Sequence, residues 1–368
     1  MSPGVERVEP PSITLRVATY NILRGGVGRV PAITAMIRRT AADIIALQEV
    51  NSPAVLEEIA CQTGMDYLFA PAYADRQGRH LALLTCLPVS AWTDRRARGA
   101  LIRPLLEAEI DLRPLWPVPP PAWARRLRLF VVHLVGRFFS RRLGEPARRR
   151  EIEAVIRELT ARSESAPDVI LGDFNAVAPG DPLDPVGFLD WAVETTWRPP
   201  RRRERQQATD ALSLSLHYPR VLAMGRLVGR AISRNQEIYH RSRRFAAGIP
   251  RRDAIDHLAR TTGYIDCYRA LHPAPERSGF TVPTWRPIIR VDYIFAHPLL
   301  AQYLRECRVV GAPSSANGHD GAPEAVVASD HYPVCATFVL QADARTAPGA
   351  MLAPGRAMGG AFRERPGG

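Results

Sequence analysis

The sequence predicts an α/β or α+β protein, in which the strands of a buried sheet system interleave with helices. Three observations carry this expectation. Short apolar runs rich in β-branched residues recur along the chain, amphipathic segments with helix start signals lie between several of them, and no apolar stretch is long enough to span a bilayer.

The strand candidates are residues 15–20, 43–48, 81–85, 127–133, 168–171, 291–295 and 334–340. A first helix is announced by Pro31 ahead of Ile33, Met36 and Ile37. A second follows Ser52-Pro53 with Val55 and Ile59 on one face and Gly64 as its stop, and a third follows Pro146 with Ile152, Val155, Ile156 and Leu159. These elements predict one domain over 13–341, interrupted by an insertion at about 176–280 that has few strand signals and is expected to be mostly helical. Residues 1–12 are polar with no apolar core of the secretory kind, and 342–368 are mostly Gly, Pro, Ala and Arg with almost no large apolar side chains; both are expected to be disordered.

Five cysteines without CxxC spacing fit reduced thiols better than a disulfide framework, so a cytoplasmic location is expected; the chain is separately expected to be a monomer. The net charge of +12 is carried by arginine alone, because the chain contains no lysine. Arginine's planar fork suits phosphate, yet an all-arginine complement also follows from GC-rich coding, so charge alone does not choose a partner. Between residues 197 and 260 there are fifteen arginines against five acids, which concentrates the charge in the insertion. There Arg226, Arg230 and Arg234 recur every four residues, opposite Val221, Met224, Val228 and Ile232, so a helix over 218–236 would have a basic stripe and an apolar back. The stripe is a candidate phosphate-holding surface; a solvated helix docked by its apolar side reads equally well.

Chemistry-bearing side chains recur where the apolar runs end. The first run ends in Thr19-Tyr20-Asn21, the second in Leu47-Gln48-Glu49, the fourth in Val132-His133, and the fifth in Gly172-Asp173-Phe174-Asn175. Strand ends are where such folds gather their sites, since the sheet fixes position and the loop leaves the side chain free. Glu49 follows a buried run and needs a compensating positive charge, supplied either by a hard cation such as Mg²⁺ or Mn²⁺ or by an arginine. Asp173 and Asn175, two apart, can face one centre and handle a water and a phosphoryl oxygen, and the same tetrapeptide also reads as a turn. Ser329-Asp330-His331 precedes the last run, and Asp292 lies upstream. An aspartate that accepts from one ring nitrogen fixes the tautomer of a working histidine, and Asp292 is assigned to His331 on that ground.

Together Thr19-Tyr20-Asn21, Leu47-Gln48-Glu49, Val132-His133-Leu134, Gly172-Asp173-Phe174-Asn175, Val291-Asp292-Tyr293-Ile294 and Ser329-Asp330-His331 resemble, in order and spacing, the motifs of the endonuclease/exonuclease/phosphatase superfamily. The resemblance implies a four-layer sandwich of two mixed sheets flanked by helices. It implies a divalent metal, Mg²⁺ or Mn²⁺, with Glu49 as principal ligand and Asn21 and Asp330 beside it. It also implies Asp173 and Asn175 as water- and phosphate-orienting groups, and His133 with the Asp292–His331 pair at the scissile phosphate.

The chain departs from parts of that pattern. His133 stands where abasic-site endonucleases typically carry tyrosine, which argues against an abasic-site role. Leu23 stands where the branches it is similar to usually have an acid, and Trp285 resembles a substrate-loop aromatic that a packed core tryptophan would equally explain. Three function classes follow: a nuclease-type phosphodiesterase acting on nucleic acid, a phospholipid or sphingomyelinase-like phosphodiesterase or phosphatase at an anionic membrane, and a binding module with an inactive site. The intact motif set favours the first two.

Overall fold

A computed structural model describes residues 11–72, 74, 78–95, 104–136, 144–160, 166–179, 181, 237, 253–274, 277–284, 287–313 and 321–342. Its twelve strands among these residues are β1 (Ser12–Asn21), β2 (Ile44–Val50), β3 (Asp66–Phe69), β4 (His80–Thr85), β5 (Val89–Arg95), β6 (Leu105–Asp111), β7 (Arg126–His133), β8 (Asp168–Asp173), β9 (Ile265–Asp266), β10 (Asp292–Ala296), β11 (Leu304–Val309) and β12 (Val334–Gln341). They form two six-stranded sheets, in the orders β11-β12-β1-β2-β4-β3 and β5-β6-β7-β8-β10-β9. Each sheet has one parallel pair, β1 with β2 and β7 with β8, and the remaining neighbours are antiparallel.

Alternation along each strand divides the apolar residues between two cores. In β1, Ile13, Leu15 and Val17 enter the core between the sheets, whereas Ala18 and Tyr20 face outward. Leu127, Leu129 and Val131 of β7, Val169 and Leu171 of β8, and Ile294 and Ala296 of β10 enter the same inner core. Burying each such Leu, Ile or Val side chain contributes about 1.5–3 kcal/mol, which makes this register expensive to slip. Outside the first sheet lie α1 (Val30–Thr40), α2 (Pro53–Thr63) and α7 (Pro323–Ala328), and outside the second lie α3 (Glu145–Thr160) and α4 (Asp253–Thr262). The result is the four-layer helix–sheet–sheet–helix sandwich that the motifs imply. Two further short helices among the described residues are α5 (Cys267–Leu271) and α6 (Pro298–Ala301).

Helix boundaries follow their local chemistry. Proline opens α1 and α2, where its missing N–H costs nothing, and α2 stops at Gly64 in the left-handed region (φ 71°). The N-terminal and C-terminal segments expected to be disordered, the helix expected over 218–236, and the residues Arg226, Arg230, Arg234 and Trp285 fall, apart from a few positions, outside the described residues. Among the exceptions, Ser12 pairs with Gln341 and the Ala342 N–H donates to the Pro11 carbonyl. The stretch from Asp253 to Phe280, counted with the insertion in the sequence reading, packs as part of the sandwich: Ala254, Ile255 and Leu258 join the core under α3, and β9 edges the second sheet. No helix among the described residues is long and apolar enough to cross a membrane.

Candidate active site

The alternation that builds the inner core also delivers the site. Asn21, His133, Asp173 and Asp292 keep the parity of inward-facing residues in β1, β7, β8 and β10, and each lies at the end of its strand where apolar packing stops. All four are buried. The parallel register sets His133 opposite Asp173, and the antiparallel register sets Asp292 opposite Asp173 from the other side. Asp173 is therefore the centre of the arrangement.

Its Oδ2 accepts from Asn21 Nδ2 at 3.1 Å and Asn175 Nδ2 at 3.1 Å, and lies 3.2 Å from His133 Nε2. Its Oδ1 accepts the backbone N–H of Asn175 at 2.9 Å, so the tetrapeptide is a side-chain-stabilised turn as well as a cluster of polar groups. Asn175 is held in the left-handed region (φ 48°), its amide donating to the Leu134 carbonyl at 3.0 Å. Gly172 has a strict steric reason: at φ 146°, a Cβ would sit 1.9 Å from the Val132 carbonyl oxygen. Only glycine lets β8 approach β7 closely enough to set Asp173 beside His133.

Glu49 reaches the site by a different route. Parity in β2 sends Ile44 and Ala46 inward and Ile45 and Leu47 outward, so Glu49 belongs to the outward set. A positive φ of 64° at Glu49, with a register shift between Gln48 and Val50, breaks that alternation. The carboxylate consequently faces the second sheet, with Oε1 3.8 Å from His133 Nε2. Its Oε2 accepts the Arg24 backbone N–H at 2.8 Å, and its Oε1 accepts Arg79 Nη1 at 2.6 Å. Arg79 is the residue the sequence reading missed. It adjoins His80, which pairs with Val50 across the β2–β4 ladder, and nothing in the local sequence marks it.

His331 completes the cluster. Its Nδ1 lies 2.9 Å from Asp292 Oδ2, and its Nε2 lies 4.0 Å from Asp173 Oδ2 and 3.9 Å from Asp330 Oδ1. Burial opposes the charged imidazolium, but Asp292, Asp330 and Asp173 outweigh it and hold the group well above the ordinary histidine range. Burial pushes the Asp292 carboxyl up to about 6 even though His331 pulls it down. Burial likewise raises Asp330, reinforced by Glu49 and Asp173, with His331 opposing. Ser329 ties the loop down, its hydroxyl donating to the Asn21 carbonyl at 2.6 Å.

Eight of the residues singled out from the sequence thus form one connected cluster: Asn21, Glu49, His133, Asp173, Asn175, Asp292, Asp330 and His331. Two groupings within it bear on metal binding. Asp173, Asp292 and His331 offer ligand atoms within 4.8 Å of one another. The hydrogen bond between His331 and Asp292 accounts for that closeness, and an imidazolium has no lone pair to give. The oxygen set of Glu49, Asn21 and Asp330 fits a hard cation better, because Asp330 Oδ1 is buried with no hydrogen-bond partner and its carboxyl is crowded by like charge.

Comparison with known proteins agrees with this geometry. The sequence profile of the Endonuclease/Exonuclease/phosphatase family matches residues 18–331. Among solved structures, an endonuclease/exonuclease/phosphatase family protein from Bacteroides thetaiotaomicron is similar at a TM-score of 0.51 and 14% identity, covering 90% of this chain and 100% of that one. An endonuclease/exonuclease/phosphatase from Bacteroides vulgatus is similar at 0.51 and 14%, covering 89% and 99%. A 3'-5' exonuclease from Neisseria meningitidis is similar at 0.50 and 18%, covering 88% and 99%. At such identities these structures speak for the fold alone. No curated protein matches the chain. With the profile spanning all six motifs, and with the motif residues gathered at one end of a four-layer sandwich, the chain belongs to the Endonuclease/Exonuclease/phosphatase family.

Proposed function

We propose that the protein is a Mg²⁺- or Mn²⁺-dependent phosphodiesterase of the nuclease type. The observation that carries this reading is the convergence of His133, Asn21 and Asn175 on one Asp173 oxygen, with the Asp292–His331 pair on the opposite side. Phosphodiester hydrolysis needs a water set in line and donors for the oxygens on which charge builds. Asp173, an acceptor flanked by donors, aligns the water and takes its proton. His331, its Nδ1 engaged by Asp292, presents Nε2 as a donor to a phosphoryl oxygen; His133 and Asn175 add donors beside it. Glu49, Asn21 and Asp330 would hold the cation, which when bound supplies charge neutralisation at the phosphate.

Nucleic acid is the substrate class we favour, because the all-arginine charge is concentrated between residues 197 and 260. The test is hydrolysis of plasmid DNA, RNA, sphingomyelin vesicles and a chromogenic phosphodiester, with and without EDTA, by wild type and Glu49→Gln. Turnover of DNA or RNA that EDTA abolishes, that Mg²⁺ or Mn²⁺ restores, and that falls at least about a hundredfold in Glu49→Gln supports the reading. Activity on sphingomyelin alone would move the substrate to lipid. Binding of nucleic acid with no turnover of anything would leave a binding module.

A further inference from the structure

The ion pair between Arg79 and Glu49 carries a consequence for how the site is charged. Glu49 Oε1 lies between Arg79 Nη1 at 2.6 Å and His133 Nε2 at 3.8 Å, so the guanidinium tip is at the site itself. Glu49 Oε2 is taken by a backbone N–H, which cannot move away. The Arg79 side chain retains 14% of its exposure, so the pair borders solvent. A monovalent guanidinium and a divalent cation cannot both sit on one carboxylate oxygen without strong mutual repulsion. Resting on the metal-dependent reading above, we infer that Arg79 is an exchangeable counter-ion: it neutralises Glu49 in the metal-free protein and turns to a non-bridging oxygen of the substrate phosphate once a divalent cation takes that carboxylate.

Charge balance supports the exchange in both states. Without a cation, Glu49, Asp173, Asp292 and Asp330 crowd one pocket, and Arg79 offsets part of that charge. With a cation on Glu49 the guanidinium would lose its anion, and a phosphoryl group bound beside His133 would offer two oxygens that match arginine's fork. Metal and phosphate binding are then linked through one side chain, and such linkage is reciprocal.

The experiment is calorimetric titration of Mn²⁺ into wild type, Arg79→Gln and Arg79→Lys, each with and without saturating inorganic phosphate. Loss of the competitor is expected to tighten Mn²⁺ alone by about fivefold or more in Arg79→Gln, within the ordinary range of coupling between sites. The mutual tightening of Mn²⁺ and phosphate seen in wild type is expected to shrink in the same variant. Arg79→Lys keeps the cation and should stay near wild type for Mn²⁺ alone. Unchanged or weaker Mn²⁺ binding by Arg79→Gln overturns the exchange and makes Arg79 a brace for the β2 bulge; unchanged phosphate coupling overturns the substrate half. Were wild type to bind no Mn²⁺, the metal-dependent reading would fall and this inference with it.

Discussion

At the residue scale, the Asp292–His331 pair makes a quantitative claim. His331→Ala removes the donor, whereas Asp292→Asn leaves it present but loosely oriented and less strongly charged. We expect His331→Ala to lower kcat by about 10²–10⁴-fold and Asp292→Asn to lower it less. Because the aspartate acts through the histidine, the double variant should be close to His331→Ala alone. Steady-state kinetics on a chromogenic phosphodiester checks this. A double variant as slow as the product of the two single losses would make the residues independent.

At the scale of an element, α6 carries a pH dependence separate from catalysis. His297 is its N-cap, and Nδ1 accepts the Leu299 N–H at 3.2 Å, which requires the neutral ring. Burial lowers its pKa below the ordinary 6.5, assisted by Arg128 and opposed by Asp168. The unfolded chain therefore takes up this proton more readily, and the contribution of His297 to stability is lost as the pH falls below about 6.5. Asn keeps the cap without titrating, so His297→Asn should lose less stability than wild type between pH 8 and pH 5. Parallel urea denaturation midpoints across that range would refute the assignment. Elements also show where pattern reading stops. β6 reads Leu-Leu-Glu-Ala-Glu-Ile-Asp, rich in helix formers, and becomes a strand because Leu106, Ala108 and Ile110 complete the inner core while Glu107 pairs with Arg95.

At the scale of the whole molecule, one buried arginine joins two carboxylates that lie far apart in the sequence, Asp181 and Asp266. Arg290 Nε donates to Asp181 Oδ2 at 2.8 Å, and its Nη1 and Nη2 donate to Asp266 at 2.9 and 2.6 Å. Tyr293 adds its hydroxyl, donating to Asp181 Oδ2 at 3.2 Å. Removing the guanidinium would leave Asp181 to Arg269 and Asp266 to the backbone N–H groups of Tyr268 and Arg269, so Arg290→Met should cost less than the full penalty for an unpaired buried charge, about 2–3 kcal/mol of stability. Chemical denaturation measures it, and a loss under about 1 kcal/mol would mean that water replaces the network.

The sequence by itself made seven of the twelve described strands legible, and the order of its motifs implied the sandwich and all eight clustered side chains as partners of one site. Alternation, proline and glycine punctuation and motif order are local signals, and inward parity at a strand end follows from them. Glu49 was legible as a buried carboxylate in want of a positive charge, but not how it reaches the site or what offsets it. Its parity points outward, and only the bulge that β4 imposes on β2, at a positive φ, turns it toward His133 and sets Arg79 on it. The reason is physical: a register shift and an ion pair spanning thirty residues depend on which strands become neighbours, and that is settled by the packing of two sheets against each other.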